Sequence, residues 1–594
     1  MYTAPTEEMR FALDLAGLEK VSALPGCEEA TPDLVDAALG EAGKLASEVL
    51  APLNHVGDKE GSRLENGIVY TPKGFKEAYR AFIDGGWNSV PFDPAHGGQG
   101  LPTLVHTALG EIWSAANFSF AICPLLTFGA VEAIAVHGSA AQKALYLPKM
   151  ISGEWTGTMN LTEPQAGSDL ALIKTRAVRE GEHYRITGQK IFITYGDHDW
   201  TDNIVHLVLA RLPDAPAGTR GISLFIVPKV LVNPDSSLGA RNDLRCVSLE
   251  HKLGIKASPT AVMAYGDNGG AIGYLVGEEN RGLGYMFTMM NHARLGVGLE
   301  GVSIAERAYQ QAREYAKERV QSRDIVGDDP RPVTIIHHPD VRRMLLTMRC
   351  QTEAARALNY FAAALLDIAK RHPEAGEREA TQHLVDLLVP VCKAWSTDLG
   401  VEVASLGIQV HGGMGYIEET GAAQHYRDSR IAPIYEGTNG IQANDLIGRK
   451  LGRDGGETAR RFLARMGSID GELTSIASAD LAALAAPMRQ GLEALDKATA
   501  WMVETMGTDM RRAAAGAVDY LRLFGTVAGG WLMARAAIEA ANRLRRGDGD
   551  GAFLKAKLVS ARFYADTVLA RAPALLHPVT HAGDTVMALA EDQF

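Results

Sequence analysis

A chain of 594 residues, with 46% hydrophobic and 22% charged residues, is long enough for several domains and has an ordinary globular composition. The net charge of −12 and the pI near 5.8 argue against a dedicated nucleic-acid binder, which usually carries a basic excess. The five cysteines are scattered without a CxxC pair, which indicates no zinc site and is typical of a reduced intracellular compartment. The N-terminus lacks the features of a secretory signal, and no uninterrupted apolar run reaches the roughly 20 residues that span a bilayer. We therefore predict a cytoplasmic protein with no metal ion, no membrane span and no nucleic-acid partner.

Helical periodicity dominates the first 155 residues. Apolar residues recur at helical spacing over residues 31–50, 72–85, 104–116 and 130–152. The Gly- and Pro-rich stretch 88–102 interrupts this pattern and predicts a loop. We expect residues 1–155 to form an N-terminal helical domain.

The periodicity changes in the middle of the chain. Short apolar runs at 204–210 and 221–227, bounded by Gly, Asp, Asn and Pro, predict strands of an antiparallel sheet in a domain over 156–276. Long amphipathic helices return over 277–452, the next predicted domain. This helical–sheet–helical order predicts the α+β class and not a doubly wound nucleotide fold.

A further helical domain is expected over residues 453–594, after a Gly-rich stretch at 452–456 that we interpret as a linker. Residues 455–594 contain 16 acidic and 16 basic side chains. The one dense basic cluster, Arg543, Arg545 and Arg546, is followed by Asp548 and Asp550. This pattern is typical of a solvated helix end and not of a phosphate-binding surface.

Glu436 is the candidate for chemistry. It lies in Ile-Ala-Pro-Ile-Tyr-Glu-Gly-Thr-Asn-Gly-Ile-Gln (431–442), a carboxylate with few charges close by in an apolar, helix-rich region. Desolvation raises a carboxyl pKa toward neutrality, which favours a general base. Gly437 would let a substrate approach the backbone closely. The alternative is an ordinary glutamate in a loop before a helix.

Three further segments bear on that choice. They are Met-Asn-Leu-Thr-Glu-Pro-Gln-Ala-Gly-Ser-Asp (159–169), Gly-Gln-Lys-Ile-Phe-Ile-Thr (188–194) and Gln-Val-His-Gly-Gly-Met-Gly-Tyr (409–416). In this order and spacing, and with the Glu436 segment, they resemble the acyl-CoA dehydrogenase family over roughly residues 40–450. The resemblance implies FAD-dependent desaturation of acyl-CoA thioesters. It also implies an N-terminal helical domain, a middle antiparallel β-barrel-like domain and a C-terminal four-helix bundle, with 453–594 as an appended helical domain.

The resemblance implies specific roles at the substrate. Glu436 removes the α-proton, and its backbone N–H helps to stabilise the thioester oxygen. One branch of the family carries its base on a helix, at the position that Ala293 occupies here, and alanine cannot act as a base. Asn291 stands where the family usually has a CoA-contacting aspartate, and Arg294 matches an arginine that approaches substrate, with a helix ion pair as its alternative role. The implied substrate-facing positions are Ser168, Asn291, Arg294, Tyr435 and Gly437.

The cofactor positions follow in the same way. Thr162 and Thr194 supply hydroxyls to the flavin ring, and Phe192 stands where the family usually has tryptophan, which keeps an aromatic wall. Arg319 matches an arginine that reaches the FAD pyrophosphate across a subunit interface, so a homodimer is expected. Ser322 stands where many members have phenylalanine, so adenine stacking is not expected there. The implied cofactor-binding positions are Met159, Leu161, Thr162, Gly167, Ser168, Phe192, Ile193, Thr194, Arg319, Gln321, His338, Gln409, Gly412, Gly413, Thr438 and Asn439.

The substrate and the electron acceptor are also expectations from the resemblance. Length and the appended domain most resemble the larger bacterial branch that oxidises 3-(methylthio)propanoyl-CoA in dimethylsulfoniopropionate breakdown, with an electron-transferring flavoprotein as acceptor. A short- or medium-chain fatty acyl-CoA dehydrogenase would use the same residues, and so would an acyl-CoA oxidase. A DNA-binding, alkylation-response relative is a reading from a different class, and the balanced charge of 455–594 argues against it.

Overall fold

The computed structural model describes residues 2–326, 329–476 and 478–594, and all of their side chains except those of Thr288, Met289 and Asn291. The α-helices are α1 (Thr6–Ala16), α2 (Leu18–Ser22), α3 (Pro32–Leu45), α4 (Ala51–Glu60), α5 (Phe75–Asp84), α6 (Thr103–Ala116), α7 (Phe118–His137), α8 (Ala140–Ile151), α9 (Gly282–Glu318), α10 (Pro339–Arg371), α11 (Ala375–His411), α12 (Ala422–Ser429), α13 (Asn439–Asp445), α14 (Gly452–Asp454), α15 (Glu457–Gly467), α16 (Ile469–Ser475), α17 (Ala479–Thr508), α18 (Met510–Arg546), α19 (Gly551–Thr567), α20 (Ala572–His581) and α21 (Gly583–Val586). The strands are β1 (Arg63–Glu65), β2 (Ile68–Tyr70), β3 (Thr156–Asn160), β4 (Arg176–Glu180), β5 (His183–Thr194), β6 (Ile204–Arg211), β7 (Ile222–Pro228), β8 (Val230–Val232), β9 (Leu238–Arg241), β10 (Leu244–Leu249), β11 (Thr260–Tyr265), β12 (Ala271–Leu275), β13 (Val320–Arg323) and β14 (Pro332–Thr334). The expected order of helices, sheet and helices is confirmed.

The chain divides into two compact units. The first comprises Met1–Ala4, Ala37–Pro102 and Ile112–Gly296, and the second comprises Pro5–Asp36, Thr103–Glu111 and Val297–Phe594.

The first unit is built on an eight-stranded sheet. Its strand order is β10-β11-β5-β12-β7-β6-β3, with β4 beside β5 and β6. Most pairs are antiparallel, but β3 runs parallel to β6, so the expectation of a purely antiparallel sheet was wrong at this edge. The reason is connectivity. β3 enters from α8 and not from a hairpin, so no tight turn forces it to run opposite to its neighbour.

β6 explains why the sequence showed a continuous apolar run and not an alternating one. Leu207 and Leu209 pack into a cluster with α7 and α8, whereas Val208 and Ala210 pack into a second cluster on the other face of the sheet. Both faces of this strand are therefore buried.

α7 is long and apolar enough, by composition, to cross a bilayer, and it is the one such helix among the described residues. However, 72% of its most apolar stretch is buried in the protein, as in the core helix of a globular unit.

Long helices dominate the second unit. α10 and α11 pack along each other, and α18 of the appended region packs against both. Phe361 of α10, Phe462 of α15 and Trp531 of α18 form an aromatic cluster that joins the two sets of helices. The expected linker at 452–456 is instead a tight turn. α14 ends at Asp454, whose carboxylate accepts from the backbone N–H of Gly456, Glu457 and Thr458 at the start of α15.

Candidate active site

The loop that carries Glu436 ends α12 and leads into α13. Glu436 has a φ of +54° and Gly437 a φ of +83°, two successive residues in the left-handed region. A non-glycine residue rarely adopts this conformation unless its surroundings impose it. Gln442, which is fully buried, imposes it here by donating from Nε2 to the carbonyl oxygens of Glu436 and Gly437, both at 3.2 Å.

The residues that flank Glu436 are anchored to the helices behind the loop. On one side, the Tyr435 hydroxyl donates to the carboxyl of Glu300 on α9, which is 1% exposed. On the other side, the fully buried Lys393 of α11 donates from Nζ to Oδ1 of Asn439 at 2.9 Å. The sequence indicated few charges near Glu436, and this was wrong, because packing brings Glu300 and Lys393 close to the loop.

Two positions expected to meet the FAD adenylate, Thr438 and Asn439, make hydrogen bonds inside the protein. The Thr438 hydroxyl accepts from the backbone N–H of Ile441 and caps α13. The Asn439 amide donates to Asp398 at 2.8 Å and to Thr397 at 3.0 Å. Their side chains therefore hold the loop, and their contact with a cofactor stays a prediction.

In the first unit, a buried ion pair organises the turn after β3. Lys190 of β5 donates from Nζ to Glu163 Oε1 at 2.8 Å and to the carbonyl oxygen of Leu161 at 2.9 Å. Glu163 also accepts from the backbone N–H of Lys174 and from the hydroxyl of Thr175. Burial alone raises the pKa of Glu163, but the Lys190 ammonium and these hydrogen bonds outweigh it and lower that pKa to about 2. The pair fixes the backbone of the segment expected to contact flavin.

A bulge in β5 turns an aromatic side chain outward. The register of β5 on β11 shifts between Ala261 and Met263, opposite Phe192, which has a φ of +59° and is 59% exposed. Thr158 of β3 donates to the carbonyl oxygen of Thr194 at 2.7 Å, so the two strands are tied together at this point. An exposed aromatic ring beside half-buried threonine hydroxyls is a surface that fits a flavin ring.

The positions expected at the FAD diphosphate and adenosine lie in the second unit. Arg319 and Gln321 are exposed at the β13–β14 hairpin, and His338 donates from Nε2 to the carbonyl oxygen of Gln321 at 2.8 Å. Gly412 and Gly413 are exposed after α11, and a Cβ added at either would meet no atom within 4 Å among the described residues. An exposed guanidinium and an open glycine pair are groups that fit a diphosphate.

The expected site residues divide between the units. In the first unit the structure places Met159, Leu161, Thr162, Gly167, Ser168, Phe192, Ile193, Thr194 and Arg294. In the second it places Arg319, Gln321, His338, Gln409, Gly412, Gly413, Tyr435, Glu436, Gly437, Thr438 and Asn439. The side chain of Asn291 lies outside the described residues.

Sequence reasoning missed five supporting residues. A local signal existed for three of them, since Glu163, Lys190 and Gln442 lie inside the quoted segments. The other two, Glu300 and Lys393, act through long-range contacts and carried no local signal.

Known protein families and relatives match nearly the whole chain. Acyl-CoA dehydrogenase family models match the N-terminal domain at residues 40–154, the middle domain at 158–267 and the C-terminal domain at 280–451. A model described as acetyl-CoA dehydrogenase C-terminal like matches residues 462–590. 3-Methylmercaptopropionyl-CoA dehydrogenase of Ruegeria pomeroyi is 51% identical over 99% of both chains. A butyryl-CoA dehydrogenase of Syntrophomonas wolfei is 35% identical over 89% of this chain and 88% of its own.

Solved structures agree on the fold. Caenorhabditis elegans ACDH-11 in complex with C11-CoA matches with a TM-score of 0.74 at 22% identity, covering 96% of this chain and 92% of its own. Butyryl-CoA dehydrogenase from Megasphaera elsdenii matches with a TM-score of 0.57 at 26% identity, covering 70% of this chain and 98% of its own. The family matches and the end-to-end relative show that the chain belongs to the acyl-CoA dehydrogenase family and is an FAD-dependent oxidoreductase.

Proposed function

We propose that this enzyme desaturates 3-(methylthio)propanoyl-CoA between Cα and Cβ. The observation that carries the proposal is the 51% identity, over 99% of both chains, to a relative named for that substrate. The relatives named for butyryl-CoA are 35% identical, which makes a short-chain acyl-CoA the second candidate.

Glu436 is the proposed base. It removes the α-proton, and its own backbone N–H, together with the room left by Gly437, serves the thioester oxygen on which negative charge develops. The anchors at Tyr435, Asn439 and Gln442 support this assignment, because a base must be held within hydrogen-bond reach of the proton it takes.

When bound, FAD supplies the acceptor for the electron pair that leaves Cβ. We assign Thr162, Phe192 and Thr194 to its ring, and Arg319 with Gly412 and Gly413 to its diphosphate. The remaining cofactor positions keep the roles that the family resemblance implies.

The partners are proposed on family grounds. We infer an electron-transferring flavoprotein as the electron acceptor and a homodimer in which Arg319 serves the neighbouring subunit. We also place the enzyme in the cytoplasm.

An anaerobic flavin-bleaching screen tests the substrate. Purified holoenzyme is mixed with 3-(methylthio)propanoyl-CoA, butyryl-CoA, octanoyl-CoA and palmitoyl-CoA, and loss of the oxidised-flavin band is followed. Bleaching fastest with the first thioester supports the proposal, whereas bleaching fastest with butyryl-CoA replaces it with the short-chain alternative. No bleaching at full FAD occupancy would reject both. Peroxide formation at the rate of turnover in air would indicate an oxidase.

Glu436→Gln tests the base. We expect the bleaching rate to fall about 10²- to 10⁴-fold, the contribution of a positioned general base, while FAD content and the flavin spectral shift on thioester binding stay unchanged. Glu419→Gln is the matched control, because Glu419 is exposed in the same unit. A Glu436→Gln enzyme that bleaches at the wild-type rate would exclude Glu436 as the base.

A further inference from the structure

Glu300 is a buried carboxyl that the family resemblance does not assign. It lies on α9 and is 1% exposed. The Tyr435 hydroxyl donates to its Oε2, and Oε1 has no hydrogen-bond partner among the described residues. A buried ionised carboxylate with one oxygen unsatisfied is costly, whereas a protonated acid in the same place is far less so.

The buried surroundings of Glu300 favour its neutral form. Burial raises its pKa most, the Tyr435 hydrogen bond lowers it, the negative charge of Glu436 raises it and the Lys393 ammonium lowers it, so that the pKa of Glu300 is raised to about 8. The Lys393 ammonium donates to Oδ1 of Asn439. Another carboxyl of the same helix, Glu306, lies nearly two turns after Glu300. It is paired with Arg356 of α10, which also binds Glu111 of α6.

Tyr435 directly precedes Glu436 in the chain, and its hydroxyl donates to Glu300. The carboxyls of Glu300 and Glu436 are therefore connected through the side chain of Tyr435 and one peptide bond. Resting on the assignment of Glu436 as base, we propose that Glu300 is a positioning residue which, in its protonated form, holds Tyr435 and leaves the single negative charge of the pair on Glu436. Two interacting carboxyls that share one proton titrate as a pair, and the more buried member keeps the proton. Glu436 is then the anion that accepts the α-proton, and the proton on Glu300 stays in place throughout.

Ionisation of Glu300 is expected to lower the bleaching rate at alkaline pH. When Glu300 ionises, a second negative charge acts on Glu436 and opposes the negative charge that develops on the thioester oxygen in the transition state. Bleaching by the wild-type enzyme is therefore expected to slow as pH rises through about 8. Glu300→Gln keeps a neutral partner for Tyr435 but cannot ionise, so it is expected to lose this alkaline decline, with a loss of up to about tenfold at lower pH from one altered hydrogen bond.

The rate experiment is anaerobic stopped-flow bleaching of the holoenzyme from about pH 6 to about pH 10. Glu314→Gln, an exposed carboxylate on the same helix, is the matched control and is expected to reproduce the wild-type profile. Tyr435→Phe removes the hydrogen bond that lowers the pKa of Glu300. The alkaline decline is therefore expected to move to higher pH in this variant.

A second readout does not depend on activity. The pKa of Glu300 is raised on folding, so its contribution to stability is fully present below its unfolded value and is lost as pH rises toward about 8. The melting temperature of Glu300→Gln minus that of wild type is therefore expected to increase between about pH 5 and about pH 8. The same difference for Glu314→Gln is expected to stay constant.

These experiments distinguish the role of Glu300 from the role of Glu436 as base. An unchanged alkaline decline in Glu300→Gln, or a loss of bleaching at every pH with FAD and fold intact, would overturn the role of Glu300. If Glu300→Gln does not fold, a Tyr435→Phe profile identical to wild type overturns it instead. Wild-type bleaching by Glu436→Gln would reject the base, while the stability readout would still report the protonation of Glu300.

Discussion

Lys393 donates from its buried Nζ to Oδ1 of Asn439 at 2.9 Å, three residues beyond the proposed base. The same asparagine donates to the backbone carbonyl of Ala394 and to the side chains of Thr397 and Asp398. One turn of α11 therefore holds the C-terminal end of the Glu436 loop, and the position of the proposed base depends on packing far from it in sequence.

Lys393→Met is expected to slow bleaching by at least about tenfold, because a small displacement of a catalytic group is costly in rate. It should also lower the free energy of unfolding by about 1–3 kcal/mol, since Asn439 loses a buried donor. Stopped-flow bleaching and chemical denaturation measure the two effects. Lys370→Met, on the exposed surface of α10, serves as the control. Wild-type bleaching by Lys393→Met would mean that the anchor does not position the base.

Arg356→Leu is expected to lower the free energy of unfolding by about 3–5 kcal/mol, because it leaves two buried carboxylates without their cation. Arg356 binds Glu111 at 2.6 Å and Glu306 at 2.7 Å, and it is 1% exposed. The exposed pair of Arg313 with Glu314 provides the comparison, and Arg313→Ala should cost less than about 1 kcal/mol. Equal losses in the two variants, measured by urea denaturation, would contradict this account.

Glu163→Gln is expected to destabilise the protein at neutral pH and to do so less as pH falls. Folding lowers the pKa of Glu163 to about 2, so its contribution is present above the unfolded value and is lost as pH falls toward 2. The melting temperatures of wild type and variant should converge below about pH 4.5. Asp202→Asn, a change at an exposed loop carboxylate of the same unit, is the control. A difference that is independent of pH would show that the ion pair is not its source.

Arg319→Ala is expected to weaken FAD binding about tenfold to a hundredfold, the magnitude of a lost charge-assisted hydrogen bond. Flavin fluorescence during titration of the apoprotein measures the dissociation constant. Arg331→Ala removes an exposed arginine near the same hairpin that is paired with Asp329, and it should leave FAD binding unchanged. Equal affinity in Arg319→Ala and wild type would remove Arg319 from the diphosphate site.

Much of the architecture could be predicted because it depends on local pattern. The strand expected at 204–210 is β6 (Ile204–Arg211), and the helix expected at 104–116 is α6 (Thr103–Ala116). The helix expected over 130–152 is instead two helices, α7 and α8, that meet at a Ser139 capping box. Its apolar spacing continued across the break, so periodicity alone did not reveal the cap.

Motifs and periodicity are properties of neighbouring residues, so the family, the helical–sheet–helical order and the candidate base could all be predicted from the sequence. The groups that surround that base depend on tertiary packing. Glu300 lies 135 residues from Tyr435, Lys393 lies 46 from Asn439, and Lys190 lies 27 from Glu163. Hydrogen bonds and charges act over a few ångströms in space, so only the packing of helices and strands brings these partners together.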